Sequence, residues 1–132
     1  MNNKLAGLSK ESIEIARYLV KLAKLKEVKT YGKVREKMES DHGHTYSTIE
    51  LRHYLDEINK VSYPCACVLL SVLVVNQITK RPGKGFFYLA ADLRGEPHLS
   101  QPDSWESFFN EECERVYKSA LNKELNFFTD EK

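Results

Sequence analysis

The sequence predicts an α+β fold of the winged helix-turn-helix type, and three observations lead to that prediction. Three helical patterns come first along the chain, and a fourth, from about residue 103, closes it. Between them, two apolar runs rich in valine and aromatic residues surround a short basic turn, which is typical of a β-hairpin. Three helices followed by a hairpin, the wing, is the element order of this fold.

Length and composition indicate one domain over residues 1–132, with its core at about residues 9–122. The chain is 42% hydrophobic and 30% charged, as in ordinary globular proteins. Its net charge of +1 gives no global attraction to nucleic acid or acidic membranes, so an electrostatic site has to come from local clustering. Three cysteines, no signal-peptide pattern and no apolar stretch of bilayer length predict a cytoplasmic protein without membrane contact.

The first two helices are predicted from capping and apolar spacing. Ser9 is a suitable N-cap for a helix at Lys10–Leu25, in which apolar residues recur at helical spacing. Residues 28–30 are then predicted to be extended, and residues 31–38 to form a short second helix.

The third helix is predicted from a capping box. Ser47 and Glu50 have the S-x-x-E pattern, so a helix is expected over about residues 48–59. Pro64 is expected to interrupt whatever precedes it, because proline disfavours continuation of a helix.

The hairpin is predicted from residues 70–78 and 86–89, which are apolar and rich in Val, Phe and Tyr. In the turn at residues 79–85, Pro82 presets its own φ and Gly83 can adopt a positive φ. The first run is apolar almost without alternation, so we expect both of its faces to be covered.

This arrangement predicts contacts to DNA, because the third helix of such a fold enters the major groove and the wing contacts phosphate. The cationic candidates are Arg52 and His53 on the third helix and Lys80, Arg81 and Lys84 at the hairpin tip. Asp56 and Glu57 follow on the same helix and would repel a DNA backbone. The alternative interpretation is that all of these charges are ordinary solvated surface charges.

Two short segments resemble a known family. Residues 30–34, TYGKV, and residues 51–55, LRHYL, followed by a strand and a glycine-bearing turn, look like the DNA-binding domain of alkylguanine-DNA alkyltransferases and alkyltransferase-like proteins. The resemblance spans about residues 30–87. It implies that Arg52 matches an arginine that enters the DNA stack and that Tyr31 matches a DNA-contacting tyrosine.

The alkyl-acceptor motif of that family, PCHRV, is absent. Pro64 and Cys65 resemble its start, but Ala66 and Cys67 stand in place of the histidine and arginine, so no base would activate Cys65. Aligning the glycine-bearing turn instead sets residues 71–75 over the acceptor motif and leaves no cysteine there. Alkyl transfer is therefore not expected.

A closer likeness is to uncharacterised bacterial and phage proteins. These share a TYG start, a P-L-x-x-L-V-V-N strand, a T-x-x-P-G-x-G-F turn and a terminal W-x-x-F helix. The corresponding segments here are residues 70–76, 79–86 and 105–108. This likeness covers most of the chain and implies no known activity.

Other chemistry has less support in the sequence. His42, His44, Cys65 and Cys67 together have the donor atoms of a zinc site, but buried cysteines and loop histidines are the favoured interpretation, and the alternative stays open. The PGKG segment, residues 82–85, lacks the Ser or Thr of a phosphate-binding P-loop. No cofactor, metal or enzymatic activity is predicted.

The sequence thus predicts a non-catalytic domain that binds double-stranded DNA. The predicted contact residues are Tyr31, Lys33, Arg52, His53, Lys80, Arg81 and Lys84. The alternative is a protein–protein interaction module of a phage or bacterial system that does not bind nucleic acid. DNA preference, oligomeric state and pathway do not follow from the sequence.

Overall fold

The computed structural model describes residues 4–129, and most of these residues are helical. The helices and strands in this range are α1 (Lys10–Leu25), β1 (Lys29–Thr30), α2 (Tyr31–His42), α3 (Thr48–Ala66), β2 (Val74–Val75), α4 (Lys84–Arg94) and α5 (Trp105–Leu121). Short 3₁₀ turns lie at Leu70–Leu73, Pro97–Ser100, Pro102–Ser104 and Asn126–Phe128.

The starts of the first three helices follow from local sequence. The hydroxyls of Ser9 and Thr30 accept backbone N–H groups at 3.2 Å at the starts of α1 and α2. At α3 the predicted capping box is present, since Ser47 Oγ accepts from Glu50 N and the Glu50 carboxylate accepts from Ser47 N. The predicted bounds of α1 are confirmed.

Helix α3 continues seven residues beyond its predicted end, to Ala66. Pro64 lies inside its last turn, where the missing N–H removes only one late intrahelical bond. The prediction that Pro64 interrupts the chain here is therefore wrong. The helix ends at Cys67, which adopts a left-handed conformation with φ of 59°.

The predicted β-hairpin is wrong, because its second arm is helix α4. Phe86, Phe87 and Ala90 are buried on one face of this helix, and Gly95 ends it with φ of 65°. A short aromatic run does not distinguish a strand from a buried helix by its period alone. Residues 89–94, LAADLR, favour a helix, and Gly95 after them is a typical helix end. This pattern indicates α4, and the strand prediction did not take it into account.

The first arm of the predicted hairpin is also different from the expectation. It forms the 3₁₀ turn Leu70–Leu73 and then β2, which pairs in parallel with β1, Lys29 opposite Val74 and Thr30 opposite Val75. The structure is therefore a mostly helical fold with a two-stranded parallel sheet, and the winged helix-turn-helix prediction is wrong. The run is buried on all sides, which explains why it lacks alternation.

Side chains hold the backbone that leads into β2. Leu69 N–H donates to Glu112 Oε2 at 2.7 Å, and Ser71 N–H donates to Asn59 Oδ1 at 3.0 Å. Asn59 Nδ2 also donates to Ser71 Oγ at 2.7 Å. These groups are buried, so each of these pairs avoids the cost of an unsatisfied polar atom. Ser71 is thereby fixed in position.

The buried apolar residues form one cluster that runs from Ile15 in α1 to Phe128. Helix α1 packs on both α3 and α5. The ring of Trp105 stacks on Phe87 with 4.7 Å between centroids, which joins α5 to α4. Among residues 4–129, none of the helices combines the length and the apolar character needed to cross a bilayer.

Candidate functional site

A cleft opens where the N-terminal ends of α2 and α4 meet the middle of α3. Its volume is about 270 Å³. Its lining residues are Tyr31, Arg52, Leu55, Asp56, Ser71, Gly83, Lys84, Gly85, Phe86 and Tyr88. We call it the Arg52 cleft.

Tyr31 joins two of the elements that form the cleft. It is the first residue of α2, and its Oη accepts the N–H of Gly83, the N-cap of α4, at 2.9 Å. Burial raises the pKa of Tyr31, while the Gly83 bond and the nearby Arg52 charge act in the opposite direction. The phenol is therefore neutral at physiological pH and provides an aromatic wall.

Arg52 projects from α3 over this wall. Its guanidinium carbon lies 5.9 Å from the Tyr31 ring centre, within the range of a cation–π contact. Arg52 is exposed, and among residues 4–129 it makes no ion pair with a carboxylate. Its charge is available to a ligand in the cleft.

The start of α4 adds a second positive feature. Gly83 has no side chain to cap the helix, and within the described range the N–H groups of Lys84 and Gly85 have no hydrogen-bond partner. Free amides at a helix N-terminus attract anions. The exposed ammonium of Lys84 adds to this attraction, and the space beside Gly85 is open.

The cleft also holds one acid and one exposed aromatic ring. Burial raises the pKa of Asp56, although Lys60 and His53 act to lower it. Tyr88 is 50% exposed, while Phe86, which also lines the cleft, is buried. The cleft therefore combines positive charge, a hydrogen-bond acceptor and an aromatic surface.

The structure brings together three of the seven predicted contact residues, namely Tyr31, Arg52 and Lys84. Lys33 and His53 lie outside the cleft. Lys33 pairs with Glu36 at 3.6 Å, and His53 pairs with Glu57 at 3.2 Å.

The predicted hairpin tip does not exist, because a helix begins where the second strand was expected. Lys80 is exposed in the turn before α4, where it adopts φ of 62°. Arg81 is half-buried and its guanidinium lies 3.6 Å from Glu106. Lys84 belongs to α4 itself and lines the cleft, whereas Lys80 and Arg81 do not.

Sequence reasoning missed several cleft residues. Tyr88 belongs to the segment predicted as the second hairpin arm, and it is half exposed at the cleft. Asp56 was treated only as a charge on the helix surface, although it lines the cleft. For Ser71 a signal existed, because the alignment through the glycine-bearing turn sets its segment over the acceptor motif of the alkyltransferases, and Ser71 lines the cleft.

The four donors of the alternative zinc site are not brought together. His42 and His44 precede α3 and contact Glu14 at 3.6 and 3.3 Å, whereas Cys65 and Cys67 lie at the other end of that 19-residue helix, about 28 Å away along its axis. Both cysteines are exposed, so the expectation that they are buried is wrong. Among residues 4–129, no set of three or more His, Cys, Asp or Glu side chains is arranged to hold a metal ion.

Comparison of the chain with protein-family models, with curated proteins and with solved structures finds no match. Function is therefore inferred from the geometry of the cleft.

Proposed function

We propose that this protein binds double-stranded DNA without catalysing a reaction, and that the Arg52 cleft is the centre of the contact. The observation that carries the proposal is the convergence of Tyr31, Arg52 and Lys84 on one cleft. These residues are distant in sequence, and the sequence predicts each of them as a DNA contact.

The charges of the cleft rim suit a phosphate backbone. Arg52 and Lys84 are exposed, and Lys80 lies in the turn that leads to α4. Within residues 4–129, none of these three cations forms an ion pair. Arg52, Lys84 and the free amides at the start of α4 provide positive charge at the cleft, and Lys80 is four residues before Lys84 in the chain.

The interior of the cleft suits a single flat ring. Its volume of about 270 Å³ is below the range of roughly 300–1,000 Å³ that is usual for drug-sized ligands. Tyr31 and Tyr88 supply aromatic faces, and Asp56 supplies an acceptor. A nucleobase displaced from the duplex has both a π-face and hydrogen-bond donors, so it matches this lining.

Binding without catalysis is supported by the chemistry of the lining. Ser71 carries the aliphatic hydroxyl of the lining, and its Oγ accepts from Asn59 Nδ2 at 2.7 Å. Among residues 4–129, no histidine or cysteine lines the cleft. The three cysteines are free thiols, which supports a reducing, cytoplasmic location.

A protein partner at the same face is the second candidate, and two exposed isoleucines favour it. Ile78, in the turn before α4, is 88% exposed, and Ile49, one helical turn before Arg52, is 77% exposed. Exposed apolar side chains contribute little to phosphate contact but are typical of protein interfaces.

The test is fluorescence anisotropy of a labelled duplex with the full chain at two salt concentrations. Arg52→Glu should weaken binding by at least about tenfold, since it removes one contact and adds a repulsive charge. Lys33→Glu makes the same charge change on an exposed residue outside the cleft and should weaken binding by less than about threefold.

Duplex binding by the unchanged protein should also fall steeply with added salt. Equal losses of duplex affinity in Arg52→Glu and Lys33→Glu would mean that only the net charge of the protein matters. That result would overturn the assignment of the Arg52 cleft as the DNA contact. Absence of duplex binding at low salt would overturn the DNA proposal and favour the protein partner.

A further inference from the structure

A second cavity lies where the C-terminal ends of α1 and α5 come together, and it shares no lining residue with the Arg52 cleft. Its volume is also about 270 Å³. Its lining residues are Ala23, Lys24, Lys26, Tyr117, Ala120, Leu121, Lys123 and Asn126. We call it the lysine groove.

The two helix ends that form the groove share one sequence pattern, A-x-x-K-E, at residues 23–27 and 120–124. In each segment the lysine is left-handed, with φ of 57° at Lys26 and 65° at Lys123, and its N–H donates to the alanine carbonyl at 3.1 Å. Each alanine is almost fully buried. The fold thus sets a buried alanine and a projecting lysine on both sides of one cavity.

The ammonium groups of the groove are not needed to complete the helix ends. The N–H groups of Glu27 and Glu124 already donate to helix carbonyls at 3.0 and 2.9 Å, as in a Schellman turn. Among residues 4–129, Lys24, Lys26 and Lys123 make no ion pair with a carboxylate. Their charges are free to meet an external anion.

The two acids next to these lysines are engaged with other groups. Glu27 lies 3.7 Å from the ammonium of Lys29, and Glu124 accepts the hydroxyl of Ser119 at 2.8 Å. Neither glutamate lines the groove, whereas three lysines of the described range do, so its lining is positive although the whole chain is close to neutral.

The floor and one wall of the groove are apolar. Ala23 and Ala120 form the floor, with 1% and 3% of their surfaces exposed. Leu121 in the wall is 76% exposed, and Leu25, between two of the lining lysines, is 60% exposed. Large exposed apolar side chains beside a cavity with a polar rim mark an interaction site.

We propose that the lysine groove binds an acidic peptide segment of a protein partner. One large apolar side chain of the peptide enters the groove over the two alanines, and carboxylates on either side of it contact Lys24, Lys26 and Lys123. A nucleic acid is a poorer match, because a hydrated phosphate gains nothing from an alanine and leucine surface. This proposal is independent of the function proposed for the Arg52 cleft.

The test uses the full chain and a fluorescein-labelled peptide of sequence EDEEFEEDE. We expect saturable binding of this peptide. The affinity should fall by at least about tenfold in the Lys26→Glu/Lys123→Glu variant, because two attractive charge contacts are replaced by repulsive ones. The control, Lys10→Glu/Lys60→Glu, makes the same charge change at exposed positions on α1 and α3 outside the groove. It should change the affinity by less than about threefold.

The apolar anchor is tested separately. Replacing the phenylalanine of the peptide by alanine, or introducing Leu121→Ala in the protein, should each weaken binding about threefold to tenfold without a charge change. Leu121 is mostly exposed, so its replacement does not threaten folding. In ¹⁵N–¹H spectra the peptide should shift the amide signals of Ala23, Lys26, Ala120 and Lys123.

Three results would overturn the proposal. These are no saturable binding of the peptide, equal losses in the groove variant and the control, or amide shifts that map to another surface. Tighter binding of a labelled duplex or of anionic phospholipid vesicles, lost in the groove variant, would also overturn it and assign the groove to that ligand instead.

Discussion

The Arg52 cleft and the lysine groove are cavities of similar size built at opposite kinds of helix end. The cleft lies at the N-terminal ends of α2 and α4, where free backbone amides and Arg52 act together. The groove lies at the C-terminal ends of α1 and α5, where the N–H groups of Lys26 and Lys123 bond to the carbonyls of Ala23 and Ala120 and positive charge comes from lysine side chains.

The two surfaces also differ in what accompanies the cations. The cleft contains tyrosines and the carboxylate of Asp56, whereas the groove contains alanines and an exposed leucine. Clustered lysines or arginines therefore do not identify a ligand by themselves. The neighbouring groups decide whether a flat polar ring or an aliphatic anchor fits beside the anion.

The largest expected effect is at Glu112, which accepts the N–H of Leu69 in the segment that leads to Ser71 of the cleft. Glu112→Gln should lower the free energy of unfolding by about 3 kcal/mol, because it removes the buried charge that pairs with Arg115 at 2.7 Å and with Arg94 at 3.7 Å. Urea denaturation measures this. The exposed neighbour provides a control, since Glu111→Gln should cost less than about 0.5 kcal/mol. Equal losses would show that the buried network does not support the fold.

A smaller loss of stability is expected when the hydrogen bond between α2 and α4 at the cleft is removed. Tyr31→Phe removes the acceptor of the Gly83 N–H and should cost about 1 kcal/mol of stability in the same assay, while the groove keeps its affinity for the acidic peptide. Tyr88→Phe is the matched control on a half-exposed ring and should have almost no effect. Weaker binding of the acidic peptide by the Tyr31→Phe variant would show that the Arg52 cleft and the lysine groove are not independent.

The smallest effect is expected from Asp56→Asn, which removes the carboxylate from the cleft, so that the cleft, like the groove, has no acid among the lining residues that the structure describes. Asp56→Asn should strengthen duplex binding by up to about fivefold, because a repulsive charge is lost. Burial raises the pKa of Asp56 above its usual 3.8, so the folded protein holds that proton more tightly than the unfolded chain.

The sign of the pH dependence follows from this shift. Charging the partly buried Asp56 destabilises the folded protein. This destabilisation is absent below pH 3.8 and appears as the pH rises through the raised pKa of Asp56 in the folded state. The asparagine variant should therefore be more stable than the unchanged protein at neutral pH and equally stable in acid, as measured by urea denaturation at several pH values. A stability difference that persists in acid would contradict this explanation.

Features that depend on near neighbours in the chain were predictable. The N-caps Ser9 and Ser47 and the extended link before α2 were all read from patterns of a few residues. Arg52 and Tyr31 were selected from a resemblance, and the fold then placed one beside the other.

Features that depend on distant partners were not predictable. Residues 86–89 pack as a helix because Trp105 stacks on Phe87 and the chain ends the helix at Gly95, and the aromatic run itself is equally suitable for a strand. The lysine groove combines segments almost a hundred positions apart in sequence.

The starts of α1, α2 and α3 follow from local sequence, since a capping hydroxyl and the amide that donates to it lie within three residues of each other. The path of residues 68–75, in contrast, depends on tertiary packing. That apolar segment meets its backbone partners Asn59 and Glu112 only after α3 and α5 have packed around it, and those side chains hold it as a buried turn and a short parallel strand. The same packing creates the Arg52 cleft, because it fixes Ser71 beneath α3 and the start of α4.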